Sequence, residues 1–203
     1  MTEDIHSQLK QIKQSFRLLM NGVVSHSMRE KGLEYKLNWG VQLPHLIEMA
    51  GEYEKNYALA IELWKEDIRE CKILALLLMP AAEMPVEVAE IWMEQTRSQE
   101  MAELSAFYLY QYLPEAPELA FRWISSEKDT DQIAGYSILS RLFMNHQEPN
   151  ERGINEFLDQ AAVALQSSSL GVKHAAMNCV QRFSQINEQL EEIAKKALNL
   201  DFL

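Results

Sequence analysis

Four stretches of this chain share one pattern: a short amphipathic helix, a polar break and a second helix that is richer in alanine and leucine. They span residues 58–79, 87–110, 118–143 and 157–183. Trp64, Trp92 and Trp123 stand near the end of the first helix in successive stretches, 28 and 31 residues apart. Helix pairs that recur every ~30–40 residues are typical of solenoids, because neither helix of a pair can bury its apolar face alone. The repeat therefore predicts an all-α helical repeat solenoid, an α-α superhelix.

The segments on either side of the repeats are also expected to be helical. Apolar residues at spacings of three and four predict a first helix from about Glu3 to Met20, and Pro44 is expected in the first turn of a later helix. No low-complexity segment interrupts the chain, so we expect a single domain. It is divided into N-terminal helices in 1–54, four helix-pair repeats in 55–184 and a C-terminal capping helix in 185–203, covering 1–203 in all.

The three repeat tryptophans allow two interpretations. They are either platforms on which nucleobases stack or core residues that pack between helices. Because Trp64, Trp92 and Trp123 take the same place in each unit, the geometry of the repeat determines their position. We therefore predict that all three are mostly buried in the core.

The charge of the chain is strongly acidic and unevenly distributed. The sequence has 19 Lys and Arg against 30 Asp and Glu, a net charge of −11. Residues 81–203 contribute 9 basic and 19 acidic residues, a net charge of −10. Proteins draw most of their affinity for nucleic acid from Lys and Arg that contact phosphates. The composition therefore disfavours DNA along this part of the chain and favours a basic partner, such as a protein.

The sequence also indicates a cytoplasmic location without a membrane anchor. It starts with MTEDIHSQLK, which lacks the basic and apolar regions of a secretory signal, and its longest apolar run, Ile73 to Met79, is too short to span a bilayer. The two cysteines, Cys71 and Cys179, lie in apolar helical stretches and are expected to be buried thiols.

The motifs of metal, nucleotide and hydrolase sites are missing from the sequence. The five histidines are scattered, and no HExxH, CxxC, Walker loop, GxGxxG or GxSxG occurs. We therefore expect no metal and no small-molecule cofactor.

Two stretches resemble the AlkD-type DNA alkylation-repair family, whose members are HEAT-like repeat proteins. They are GLEYKLNWGVQLPHLIEMA (32–50) and LWKEDIRECKILALLLM (63–79). The matching residues are Gly40, Val41 and Pro44 in the first stretch and Leu63, Trp64, Glu70, Leu74 and Ala75 in the second. Ile47 departs from the family, which often has a basic residue there. The resemblance covers roughly residues 20–185 and implies a HEAT-like solenoid.

The resemblance also implies a chemistry, because family members are DNA glycosylases that release N3- and N7-alkylated purines. They need a carboxylate that stabilises an oxocarbenium-like sugar, aromatic faces for the cationic base and arginines for phosphates. The family pattern Trp-Asp-x-x-Asp-Leu-x-Ala falls on Gln99 to Ala106. Glu103 then corresponds to the catalytic aspartate, while Gln99 replaces the tryptophan.

Two further functional positions of the family fall on residues of a different type. The arginine of the next repeat falls near Ala134 or Gly135, and a second tryptophan falls near Asn178. Of four positions, Glu103 alone keeps its chemical type. This pattern is typical of a descendant that has lost its catalytic activity or changed its substrate.

We therefore interpret the chain as a DNA alkylation-repair-like HEAT-repeat protein that has lost glycosylase activity and acts as a macromolecule-binding scaffold through its concave face. The alternative is an active, divergent alkylpurine DNA glycosylase with Glu103 as the stabilising carboxylate, and a third interpretation is a structural solenoid in a larger assembly. A basic groove favours DNA, whereas an acidic or neutral groove favours a protein partner. The candidate groove residues are Gln99, Arg97, Arg141, Lys173 and Asn178, and a basic stripe in the groove would be built from Arg97, Arg141, Lys173 and Arg182.

Overall fold

The computed structural model describes residues 4–200, which form α-helices joined by short 3₁₀ turns and loops. No strand forms within this range, and an isolated parallel bridge joins Leu37 and Ile68. The predicted all-α class is therefore confirmed. None of the helices in the described range has the length and apolar character needed to cross a membrane. Glu3, the expected start of the first helix, lies outside the described residues.

The chain divides into two compact units, one up to Arg97 and one from Ser98 onward. The described helices of the first, here called the N-terminal unit, are α1 (Ile5–Ser15), α2 (Gly22–Glu30), α3 (Leu43–Ala50), α4 (Tyr57–Lys65), α5 (Arg69–Leu78) and α6 (Val86–Glu94). Those of the second, the C-terminal unit, are α7 (Gln99–Tyr108), α8 (Ala116–Ile124), α9 (Asp129–Met144), α10 (Glu151–Ala164), α11 (Leu170–Ser184) and α12 (Glu188–Leu198). The single continuous domain stays a prediction.

The helix boundaries follow the polar residues that cap them. Asn21, Asn56, Ser98, Asn150, Ser169 and Asn187 each accept a hydrogen bond from a backbone N–H of the first turn that follows. Pro44 lies in the first turn of α3, as predicted. The first helix ends earlier than Met20, because α1 stops at Ser15 and a 3₁₀ turn follows from Phe16 to Leu18.

The repeat tryptophans are core residues, which confirms that prediction. Trp64, Trp92 and Trp123 lie near the C-terminal ends of α4, α6 and α8 and are only 3%, 3% and 5% exposed. In the N-terminal unit, the indoles of Trp64 and Trp92 stack with their centroids 4.2 Å apart and their planes 4° from parallel. In the C-terminal unit, Trp123 packs against Tyr110 at 5.1 Å. Adjacent helix pairs therefore interlock through these rings.

The two stretches that resemble the repair family meet within the N-terminal unit. The buried carboxylate of Glu70, at the start of α5, accepts hydrogen bonds from the backbone N–H groups of Trp39 and Val41, each at 3.2 Å. The buried Arg69 guanidinium donates to the carbonyl oxygen of Val41 at 3.0 Å and lies 3.5 Å from Glu70 Oε1. Arg69 and Glu70 thus clamp the loop before α3 onto α5, and we refer to this arrangement as the loop clamp.

Gly40, between the two residues held by Glu70, is required by the backbone of this loop. Its φ is +70°, in the left-handed region that favours glycine. A Cβ atom at this position would lie 2.3 Å from the carbonyl oxygen of Asn21. The Gly-Val-x-x-Pro motif is therefore explained by close packing between the loop and the start of α2.

In the C-terminal unit, α9 packs against α7, α8 and α11. Its buried face includes Ala134, Gly135 and Leu139. Phe143, near the end of α9, forms an aromatic cluster with Phe157 of α10 and Phe183 of α11, with ring centroids 5.0–5.4 Å apart. This packing lines up α7, α9 and α11, which are the second helices of their pairs, along one side of the unit.

Candidate functional site

A cavity of about 530 Å³ opens on the C-terminal unit and is lined by α7, α9 and α11. Three of the sequence-predicted site residues lie in its wall: Glu103 from α7, Arg141 from α9 and Asn178 from α11. Residues separated by more than 70 positions in the sequence are thus brought to one place. We call this cavity the groove.

The side chain of Glu103 is exposed in the groove and is held by its neighbour Gln99. Gln99 Nε2 donates a hydrogen bond to Glu103 Oε1 at 2.8 Å, one helical turn away on α7. Because the Gln99 side chain is uncharged, this hydrogen bond orients the carboxylate without neutralising it. A glutamine at this position offers no aromatic face beside the carboxylate.

The cation in the groove is Arg141, and it lies on an aromatic ring. Its guanidinium carbon is 4.6 Å from the ring centroid of Phe107, a side chain that is 42% exposed. Arg141 Nε also donates to Gln111 Oε1 at 3.3 Å, which anchors the side chain from the other direction. A cation–π contact of this kind stabilises by ~0.5–1 kcal/mol at exposed sites. The face of Phe107 is therefore covered by the protein's own positive charge.

The position assigned to the family's arginine lies away from the groove. Ala134 and Gly135 are buried where α9 crosses α8. A Cβ atom on Gly135 would lie 2.8 Å from the carbonyl oxygen of Ala120 and 2.8 Å from Ile124 Cγ2, so this packing leaves no room for an arginine. The groove receives its cation from a residue two helical turns further along α9 instead.

The other basic residues expected in a stripe do not line the groove. Lys173 is half-buried elsewhere on α11, and Arg182 is exposed and donates to Gln185 Oε1 at 2.9 Å. Arg97 is an exposed residue of the N-terminal unit. Among the side chains that line the groove, Glu103 and Arg141 carry opposite formal charges, and His174 is counted as neutral. The groove is therefore close to neutral at pH 7.

Several residues of the groove were missed by the sequence reasoning. They are Leu104, Phe107, Tyr108, Ser137, Ser140, His174 and Ala175. Helical spacing could have identified two of them, because Phe107 follows Glu103 by one turn and His174 precedes Asn178 by one turn. Only the pairing of the three helices shows that these turns face one another.

The cysteine that neighbours the groove is not an activated nucleophile. Ser140 hydrogen-bonds the buried thiol of Cys179, and burial raises the pKa of Cys179 well above its ordinary value. The thiol therefore stays protonated at neutral pH, and a protonated thiol is a poor nucleophile. Within residues 4–200, no three His, Cys, Asp or Glu side chains lie together as metal ligands.

Comparison with known proteins places this fold in a repair family. A family model described as DNA alkylation repair enzyme matches residues 12–192. A solved structure from a family related to the HEAT-like repeat DNA glycosylases, with affinity for branched DNA structures, superposes with a TM-score of 0.82 at 19% identity. The superposition covers 93% of this chain and 81% of the other, which confirms the predicted HEAT-like repeat fold. No curated protein matches the chain significantly.

Proposed function

Because the chain belongs to the DNA alkylation repair enzyme family, we propose that it is a macromolecule-binding member of that family that does not excise bases. The observation that carries this proposal is the contact between Arg141 and Phe107 in the groove. The groove contains Glu103, which the resemblance aligns with the catalytic aspartate, but its aromatic face and its cation are paired with each other.

A glycosylase of this family needs an open aromatic face for a cationic alkylpurine. In the groove, that face belongs to Phe107, and the Arg141 guanidinium lies 4.6 Å from its centroid. A cationic base at the same place would meet a fixed charge of like sign, which is repulsive at this range. Arg141 and Asn178 instead suit a partner that presents carbonyl oxygens, such as those of a protein backbone.

The residues at the other functional positions of the family also argue against base excision. Gln99 and Asn178 supply amides where the family supplies tryptophans, and the buried Gly135 leaves no space for the arginine. A carboxylate such as Glu103 favours an oxocarbenium ion only when the sugar is held beside it. The groove thus keeps the charge of the catalytic carboxylate and lacks the groups that hold a base.

The preferred partner is a protein with a basic surface. Residues 81–203, which include every residue that lines the groove, carry a net charge of −10, and such a surface attracts cations and repels the DNA backbone. The solved structure with the same fold comes from proteins with affinity for branched DNA, so branched DNA is the nucleic acid to compare with duplex and with basic peptides.

The test is the release of alkylated purines from methylated DNA, with an active glycosylase as positive control. We expect no release by the wild-type protein and none by Arg141→Ala, which uncovers Phe107 but restores neither tryptophan. Excision by the wild type that Glu103→Gln abolishes would refute the proposal.

The second candidate function is an active, divergent alkylpurine glycosylase. It is favoured by one observation: the carboxylate of Glu103 is exposed to a cavity of about 530 Å³. Under this alternative, Glu103→Gln removes activity, while Glu127→Gln, which changes an exposed glutamate of the same unit outside the groove, retains it.

A further inference from the structure

A second cavity, of about 430 Å³, lies in the N-terminal unit, independent of the groove. One wall is formed by α1 and the 3₁₀ turn that follows it, and it carries Lys10, Lys13 and Arg17 at spacings of three and four residues. The opposite wall includes Trp39, from the loop before α3, and Ile68, just before α5. We call this the α1 cavity.

The α1 cavity has a positive net charge, although the chain as a whole is acidic. Three cations line it, and the one carboxylate in its wall, Glu66, is engaged by Lys13 Nζ at 2.8 Å. Lys10 and Arg17 have no carboxylate partner within the described part of the chain, and both are exposed. With its histidine neutral, the cavity has a net charge of +2, while the whole chain has −11. Such a concave cluster of cations concentrates anions.

Trp39 differs from the other three tryptophans of the chain. It stands outside the repeat pattern, and its indole is only partly buried, with the Arg17 guanidinium 5.9 Å from the ring centroid. Its Nε1 atom is buried and has no hydrogen-bond acceptor among the described residues. Because this atom is closed to solvent, the part of Trp39 that can contact a ligand is the exposed part of its ring.

The backbone around Trp39 is held rigidly, which makes the indole a fixed wall. Glu70 of the loop clamp accepts the backbone N–H of Trp39, and the adjacent Gly40 donates to Asn38 Oδ1 at 2.8 Å. The indole is therefore positioned before any ligand arrives, so little conformational entropy is lost on binding.

We propose that the α1 cavity binds a nucleotide through its phosphate. The phosphate oxygens accept hydrogen bonds from Lys10 and Arg17, the latter through the planar fork that matches phosphate geometry. The sugar or base then contacts the aromatic and apolar wall that Trp39 and Ile68 provide. A cationic wall opposite an aromatic one is also how proteins bind single strands without reading sequence. The source of the phosphate is either a free nucleotide or a strand of DNA.

The test measures the binding of a fluorescently labelled oligothymidylate by anisotropy over a range of salt concentrations, with thymidine monophosphate as competitor. Lys10→Gln/Arg17→Gln should weaken binding about tenfold or more and reduce the salt slope by about 0.7, which is the contribution of one neutralised phosphate on a single strand. The matched control is Lys31→Gln/Lys36→Gln, which removes two exposed cations of the same unit that lie outside the cavity. Equal losses in both double variants, or unchanged binding in Lys10→Gln/Arg17→Gln, would overturn the proposal.

A third variant, Glu66→Gln, should bind the oligothymidylate more tightly, and misfolding cannot produce such a gain in affinity. Glu66→Gln removes the carboxylate that repels the phosphate and frees Lys13 from its ion pair, so binding should tighten severalfold. Full displacement of the oligothymidylate by thymidine monophosphate identifies a free nucleotide as the ligand, whereas binding of the strand without such displacement identifies DNA. If neither probe binds at low salt, the proposal fails.

Discussion

The loop clamp supplies the most specific prediction about stability. The perturbation is Glu70→Ala, which removes a carboxylate that is fully buried and accepts two backbone N–H groups, from Trp39 and Val41. It also removes the ion pair between Glu70 and the guanidinium of Arg69, which is 2% exposed. Both losses destabilise the folded state of the N-terminal unit.

The magnitude follows from these contacts. Hydrogen bonds to a charged group contribute about 1.5–3 kcal/mol each, and both are 3.2 Å long, which favours the lower value. Breaking a buried ion pair costs about 3–5 kcal/mol because a buried charge loses an interaction that offsets its desolvation. The two figures describe overlapping losses, so we expect about 3–5 kcal/mol in all. Glu70→Gln keeps one acceptor oxygen and should cost about 2 kcal/mol.

The assay is urea denaturation followed by tryptophan fluorescence, because three of the four tryptophans, Trp39, Trp64 and Trp92, belong to the N-terminal unit. Glu52→Gln is the control: Glu52 is exposed, so its loss should change the free energy of unfolding by less than about 0.5 kcal/mol. If Glu70→Ala cost under ~1 kcal/mol, the reasoning that the loop clamp stabilises this unit would be wrong.

Three further predictions follow from burial and charge. Trp64→Ala, Trp92→Ala and Trp123→Ala should each cost about 3–5 kcal/mol in denaturant melts, and values under ~1 kcal/mol for all three would contradict their role in the core. Burial, reinforced by the charge of Glu66, raises the pKa of Cys71 from 9.0 to about 12. As pH rises, the thiol therefore loses its proton at a lower pH in the unfolded chain than in the folded protein. The free energy of unfolding should therefore fall between pH 9 and 12, by about 1.4 kcal/mol per pH unit for this thiol, and Cys71→Ala should make the fall shallower in melts at several pH values. Duplex DNA should bind more weakly than the ~10⁻⁴–10⁻⁶ M of non-specific binders at physiological salt, and micromolar affinity that falls steeply with salt would contradict this.

The sequence alone was sufficient for the local structure of the chain. Helix starts could be predicted from capping residues and prolines, because these act within a single turn. The burial of Trp64, Trp92 and Trp123 could be predicted because a residue that recurs at one place in a repeat must face the neighbouring helix pair. Glu70 could be singled out because it belongs to a stretch that resembles the repair family, but the sequence did not show which groups it contacts.

The tertiary structure decided which side chains meet. Arg141 lies on Phe107, and Gly135 is buried against α8, because of the way α9 packs on its neighbours, and helical periodicity does not specify that packing. The same holds for the α1 cavity, where Arg17, Trp39 and Glu66 come together from three separate segments of the chain. Periodicity reports which face of a helix is apolar, whereas a site depends on the rotation and spacing of whole helices against one another, which the summed packing of many side chains determines.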